Sequence, residues 1–349
     1  MGPITERPSR DLARLLTAAV ALVLLVGAAD ALWGLLVQRS AEWQAGGDPR
    51  ERILWDRNMH DARVVLVGDS LFCSYYVDGP EQTLWARLSE RLHVPVFPAA
   101  LNGATPADLV LVANRVVAHV RPGAVVLVDL HPVHVFSSDA VDTRESHYAS
   151  WFRELDDAGQ TLPLPGDLRP ASLLTERSFV LGNHERLHRY LSGTLQPASA
   201  YYKTRWHRDR RWDDDADGYA RQRFENMQAA FSNGRRNPRL TSFDWVRRLD
   251  ATFKSAGLQP VFVLTPLNTP MMTHYAGGDR SFPAMLAASR ACLLEQLRAS
   301  GITYVDLYSA LGPDLFADLI HPNAQGDDRM AAILAREIGP RIRVAESAR

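Results

Sequence analysis

The stretch VLVGDSLFCSYY, Val65–Tyr76, sets a run of β-branched and aliphatic residues against a Gly-Asp-Ser-Leu turn and then continues with polar and aromatic residues. The apolar run reads as a buried strand, and Gly68-Asp69 as its stop. Directly after such a strand, Ser70 is either a nucleophile or an ordinary turn residue. A serine hydroxyl attacks a carbonyl at neutral pH only if a base takes its proton and N–H donors hold the oxyanion that forms. The rest of the chain must supply both.

Working outward, short β-rich runs alternate with amphipathic stretches. Strands are expected at Arg63–Val67, Val94–Phe97, Ala124–Leu130, Pro260–Thr265 and Ile302–Asp306. Helices are expected at Gln82–Leu92, from Thr105-Pro106 to about Val120, at Leu240–Ala256, at Phe282–Ser300 and from Ala324 to about Ile338. Thr105 offers a capping hydroxyl with proline at the first helical position, and Asn323 is a candidate cap for the last helix. Five short buried strands alternating with helices imply a parallel sheet covered on both faces, a three-layer α/β domain. In such a sheet ligands bind at the carboxyl ends of the strands, where Ser70 falls.

A candidate base lies near the other end of the chain. DLFADLIHPNAQGDDRMAAIL, Asp314–Leu334, places Asp318 three residues before His321, in a loop before the last helix. A carboxylate there can orient the imidazole, fix its tautomer and stabilise the imidazolium formed when it takes the serine proton. Alone, Asp-x-x-His says little; combined with Gly-Asp-Ser after the first strand, it completes a Ser-His-Asp set.

VGDSL at Val67–Leu71, NGAT at Asn102–Thr105 and DLIHPNAQG at Asp318–Gly326 together resemble the SGNH or GDSL superfamily of serine hydrolases and acyltransferases. The resemblance implies a flavodoxin-like three-layer domain with a five-stranded parallel sheet. It also implies Ser70 as nucleophile, His321 as base, Asp318 as its orienting partner, and the N–H groups of Ser70 and Gly103 as oxyanion donors. Asp69 and Asn102 flank these residues and are candidates for substrate binding. The superfamily usually carries Gly-x-Asn-Asp after the third strand, its asparagine a third oxyanion donor. Here the chain reads VDLHPVHVF, Val128–Phe136, with no asparagine. His131 or His134 could donate instead, or they only line the crevice edge. A metal reading of that His-x-x-His pair lacks a third ligand nearby, and no cofactor is called for.

Leu15–Val37 is 23 residues long with a single charge, Asp30, long enough to span a bilayer. A cleaved signal peptide competes, with basic flanks at Arg7, Arg10 and Arg14 and small residues near Ala28. The apolar run resumes at Ala31–Val37, which reads for an uncleaved, single-pass anchor. The preceding arginines place the N-terminus in the cytoplasm and the remaining chain outside the cytoplasmic membrane, periplasmic where an outer membrane exists.

The expected organisation is therefore a cytoplasmic 1–14, an anchor at 15–37, a linker at 38–61, an α/β domain at 62–340 and a tail at 341–349. An insertion at about 137–238 interrupts the alternation. It is rich in charge and aromatics, and reads either as a lid or as a solvated excursion. The 39 basic and 40 acidic residues nearly cancel, which gives no sign of a nucleic-acid partner. Cys73 and Cys292 are too few for a disulfide framework.

The anchor and the altered third block resemble the anchored branch of the superfamily. Its members work with membrane-bound O-acyltransferases to place acetyl or D-alanyl groups on envelope polymers. TPLNTPMMTHY, Thr265–Tyr275, is loosely similar to the segment after the fourth strand in the D-alanyl-lipoteichoic acid transfer proteins. Asn268 within it either reaches substrate or caps a turn. The resemblance implies an esterase or O-acyltransferase acting on acylated glycans, with a membrane-bound O-acyltransferase as partner. The competing class is a non-catalytic component that keeps the fold to bind a glycan or that partner.

Overall fold

The structure is a computed structural model describing residues 10–38, 57–74, 76–77, 79–101, 103–131, 191–192, 219–232 and 243–347. The chain divides into two units, the first holding helix α1 (Arg10–Gln38). The second holds the elements described from Arg57 onward.

The second unit is built on five parallel strands: β1 (Val64–Gly68), β2 (Val96–Ala100), β3 (Val125–Leu130), β4 (Gln259–Leu264) and β5 (Tyr304–Asp306). Their order is β2-β1-β3-β4-β5, the flavodoxin-like order, which reverses direction between β1 and β3. Register runs Val64↔Val96 and Val64↔Val125, so the carboxyl ends of the three strands finish side by side. All residues of β1 and β3 are buried, as expected of strands covered on both faces.

Helix α2 (Leu84–Leu92) links β1 to β2, and α3 (Pro106–His119) links β2 to β3. Helix α5 (Asp244–Ser255) precedes β4, and α7 (Ser281–Ala299) precedes β5. Helix α8 (Ala324–Ser347) ends the fold. Leu84 and Leu88 of α2 join Met330, Ala331, Leu334 and Ile338 of α8 over Val64, Leu66, Val125, Leu127, Val261 and Val263 on one sheet face. Helix α3 packs on β1 and against α5, and α5 packs on β4. The N-terminus of α3 carries a full capping box: Asp108 N–H donates to Thr105 Oγ1, and Thr105 N–H donates to Asp108 Oδ2.

The strands and helices fall where the alternation put them, with three differences. Helix α8 runs nine residues beyond Ile338, through Pro340. Ile338 and Ile342 are both buried, so packing carries the helix past the bond that proline removes. Two further helices were not foreseen: α4 (Tyr219–Ser232), inside the insertion, and α6 (Thr269–Tyr275), directly after β4. The last residues of the expected linker, Arg57–Asp61, form a 3-10 turn that packs on α3 with Met59 buried.

For the first unit, α1 covers the expected anchor. Among the described residues no helix is long and apolar enough to cross a membrane. Residues 39–56, most of 137–238, and Asn102 and His134 lie outside the described residues.

Candidate active site

The site is built from the turn after β1 and the loop before α8. At the first, the Asp69 carboxylate accepts a hydrogen bond from the Leu71 N–H at 2.8 Å, and Phe72 and Cys73 N–H groups donate to the carbonyls of Asp69 and Ser70. This turns the chain sharply and leaves Ser70 at the sheet's carboxyl edge. Gly68 is required by space: a Cβ there would lie 2.7 Å from that of Asp129 and 2.9 Å from the Phe72 ring. Cys73 and Cys292 form no disulfide, and Cys73 packs in the core with its thiol toward the Asp69 carbonyl, 3.3 Å away.

At the second, the loop is closed by hydrogen bonds from Ala317 N–H to the His321 carbonyl and from Asn323 N–H to the Leu315 carbonyl. Asn323 Oδ1 caps α8, accepting from Gln325 and Gly326 N–H groups. Gly326 is the second glycine demanded by close approach, since a Cβ would meet the Leu315 carbonyl oxygen at 2.2 Å.

These two pieces bring together residues 251 positions apart. His321 Nε2 lies 2.9 Å from Ser70 Oγ, and His321 Nδ1 lies 2.7 Å from Asp318 Oδ2. All three residues are buried, Ser70 the most exposed at 7 %. The other carboxylate oxygen of Asp318 accepts from the N–H groups of Ile320 and His321. Burial alone would raise the pKa of Asp318, but His321 and, behind it, Arg223 hold the carboxyl well below the usual carboxylate range. With an ionised Asp318 facing Nδ1, the ring carries its proton on Nδ1 and presents the Nε2 lone pair to the serine hydroxyl.

Two neighbours of Asp318 went unforeseen. Tyr76 donates its hydroxyl to Asp318 Oδ2 at 3.2 Å and sets its ring 5.3 Å from that of His321. Arg223, on α4, brings Nη1 to 3.9 Å from the same oxygen.

Gly103 sits in the turn after β2 at φ +66°, a conformation that favours glycine, and Leu101 N–H donates to the Gly68 carbonyl. The turn is thereby tied to the end of β1, beside Ser70. Asp69 is buried in the turn after β1, and its N–H donates to Asp129 Oδ2 at 3.3 Å. Burial and the facing Asp69 carboxylate push the Asp129 carboxyl well above the usual range. His131 is buried immediately after β3. Of the two roles open to Asn268, the structure has it capping: fully buried, its Oδ1 accepts from Met271 N–H and its N–H donates to the Leu319 carbonyl in the His321 loop. Asn268 thus supports that loop from below.

A further buried carboxyl lies one turn into α8. Burial pushes Asp327 up to about 8, opposed only in part by the Ser74 hydroxyl. Because the folded state holds a proton that the unfolded chain releases near its ordinary 3.8, stability falls as pH rises between these values and levels off above the upper one. Asp327→Asn is expected to remove this slope. In thermal or urea unfolding, the variant's advantage over wild type should widen by up to about 4 kcal/mol from pH 5 to pH 8, at roughly 1.4 kcal/mol per pH unit. A constant difference would show that Asp327 is ionised throughout.

The sequence matches no protein-family description and no curated protein. Among solved structures, it is similar to a candidate acylhydrolase from Bacteroides fragilis at 12 % identity and TM-score 0.37, over 80 % of this chain and 87 % of that one. It is also similar to a candidate SGNH hydrolase from Slackia heliotrinireducens, at 14 % and 0.38 over 78 % and 96 %. A third is a candidate lipolytic protein of the G-D-S-L family from Desulfitobacterium hafniense, at 13 % and 0.34 over 78 % and 97 %. At these scores the likeness adds nothing to what the geometry carries.

Proposed function

We propose that the protein is a membrane-anchored serine esterase or O-acyltransferase that works through an acyl-enzyme on Ser70. The observation that carries this reading is the continuous line from Ser70 Oγ to His321 Nε2, and from His321 Nδ1 to Asp318 Oδ2. His321 takes the serine proton as the hydroxyl attacks an ester carbonyl, and Asp318 stabilises the imidazolium. The N–H groups of Ser70 and Gly103 receive the oxyanion. Proton return to the leaving oxygen gives the acyl-enzyme, and His321 then activates the accepting hydroxyl, from water or from a sugar.

Anchoring draws support from α1. Val20, Leu22, Leu24, Leu25, Val26, Leu32, Trp33 and Leu36 are all at least 40 % exposed on one helix. Apolar side chains placed on every side of a helix need a nonpolar surrounding, which a bilayer supplies. Arg7, Arg10 and Arg14, before the apolar run that starts at Leu15, favour a cytoplasmic start, with the α/β unit on the outer face of the cytoplasmic membrane. The apolar run at Leu15–Val37, the altered third block at Val128–Phe136 and the loose likeness of Thr265–Tyr275 to the anchored branch of the superfamily support acylated envelope glycans as substrate and a membrane-bound O-acyltransferase as partner.

The test uses the full chain in detergent. A fluorophosphonate probe should label the wild type, and p-nitrophenyl acetate should leave one acetyl group on Ser70, located by peptide mass spectrometry. A folded protein that neither labels nor acylates is a binding component instead. Loss of ester groups from envelope polymers after gene deletion identifies a transferase, and their accumulation identifies a hydrolase.

A further inference from the structure

The triad carboxylate is unusually well supplied with partners. Asp318 Oδ1 accepts from two backbone N–H groups, and Oδ2 accepts from His321 Nδ1 and the Tyr76 hydroxyl. The cation of Arg223 stands 3.9 Å from Oδ2. Arg223 is the one of these groups that comes from the insertion between β3 and β4, on helix α4.

The placement of α4 is specific. Phe224, the next residue, is 3 % exposed and packs edge-on to the Phe282 ring at 5.7 Å and beside Tyr275 at 6.3 Å. Met227, one turn on, is buried as well, and Arg221 lies over the Tyr275 ring at 5.6 Å. These contacts fix the helix on α6 and α7 and aim Arg223 at the Asp318 carboxylate. Its side chain is 26 % exposed against 5 % for that of Asp318, so the pair is shielded enough to act electrostatically.

We propose that Arg223 is a positioning residue for the triad, holding the Asp318 carboxylate in place and limiting how strongly that carboxylate retains a protonated His321. The proposal deepens the serine-esterase reading and rests on it for its catalytic meaning. A cation behind the carboxylate satisfies part of its charge. Less of that charge is then left to stabilise an imidazolium, and the ring gives up its proton more readily. Tyr76, Ser70 and Arg223 face the Asp318–His321 pair.

Arg223→Gln and Arg223→Lys in the full chain test it, with kcat/KM for p-nitrophenyl acetate followed from pH 5.5 to 9. In Arg223→Gln the acid limb of the profile is expected to move up by about one pH unit, a loss of about tenfold at pH 6 and little at pH 8.5. KM should hold, and Arg223→Lys should restore the profile. The midpoint of the His321 ring signals in an NMR titration should move with the acid limb, a readout that needs no turnover. An unmoved midpoint, or an equal loss at both pH values that lysine fails to rescue, overturns the proposal. If the midpoint moves while even the wild type neither turns over ester nor takes the fluorophosphonate, the positioning role stands and the esterase reading fails.

Discussion

Ser70→Ala is expected to lower kcat/KM for a p-nitrophenyl ester by about 10⁴-fold or more, and to abolish fluorophosphonate labelling, without loss of fold. The catalytic loss follows from the geometry, since the hydroxyl 2.9 Å from His321 Nε2 is the one atom deleted. The remaining rate should be that of water attacking within the site, helped by the oxyanion donors alone. The fold should survive because the turn around residue 70 is held by other atoms. Asp69 Oδ1 accepts from Leu71 N–H, and the Ser70 carbonyl, untouched by the substitution, accepts from Cys73 N–H. Unchanged thermal unfolding with lost turnover supports the nucleophile; a rate within tenfold of wild type removes it.

What could be read from the chain, and what could not, divides along physical lines. The sheet was legible because each strand is a short run of apolar residues bounded by turn residues, and burial on both faces leaves no alternation to blur it. Ser70, Asp318 and His321 were legible because each lies in a local pattern fixed by close packing. Gly68 is forced by the Asp129 side chain and Gly326 by the Leu315 carbonyl, so the glycines mark the motifs as much as the reactive residues do.

Tyr76 carried no such mark, although it lies six residues from the serine. Its partner is 242 positions away, and the aromatic reads equally well as core. Arg223 was hidden for a different reason. Phe224 and Met227 have helical spacing, yet they sit among charges that obscure the period, and only tertiary packing on Phe282 and Tyr275 shows the side α4 buries. Helix α6 was readable in principle: Asn268-Thr-Pro is a cap followed by proline in the first turn, the same signal that located α3. The place of Asn268 at the end of a strand leaves both the crevice and a cap open to it, and the backbone groups freed at the helix start claim its side chain.

Asp318→Asn is expected to cost about 10⁴-fold in kcat while leaving the protein folded, and the hydrogen bonds already present dictate why. One carboxylate oxygen accepts from two backbone N–H groups, so an asparagine must keep its carbonyl oxygen there and turn its NH₂ toward His321 Nδ1. That nitrogen must then accept, which moves the ring proton to Nε2 and aims it at Ser70 Oγ. The imidazole keeps its position and loses its function as a base. The same NH₂ faces the Tyr76 hydroxyl, which must rotate to accept instead of donate, and Arg223 loses the charge it opposes. The variant should therefore label with fluorophosphonate slowly, whereas Ser70→Ala does not label at all. A kcat within tenfold of wild type would mean that His321 is held in its working tautomer by some other group, and that Asp318 serves the loop and not the reaction.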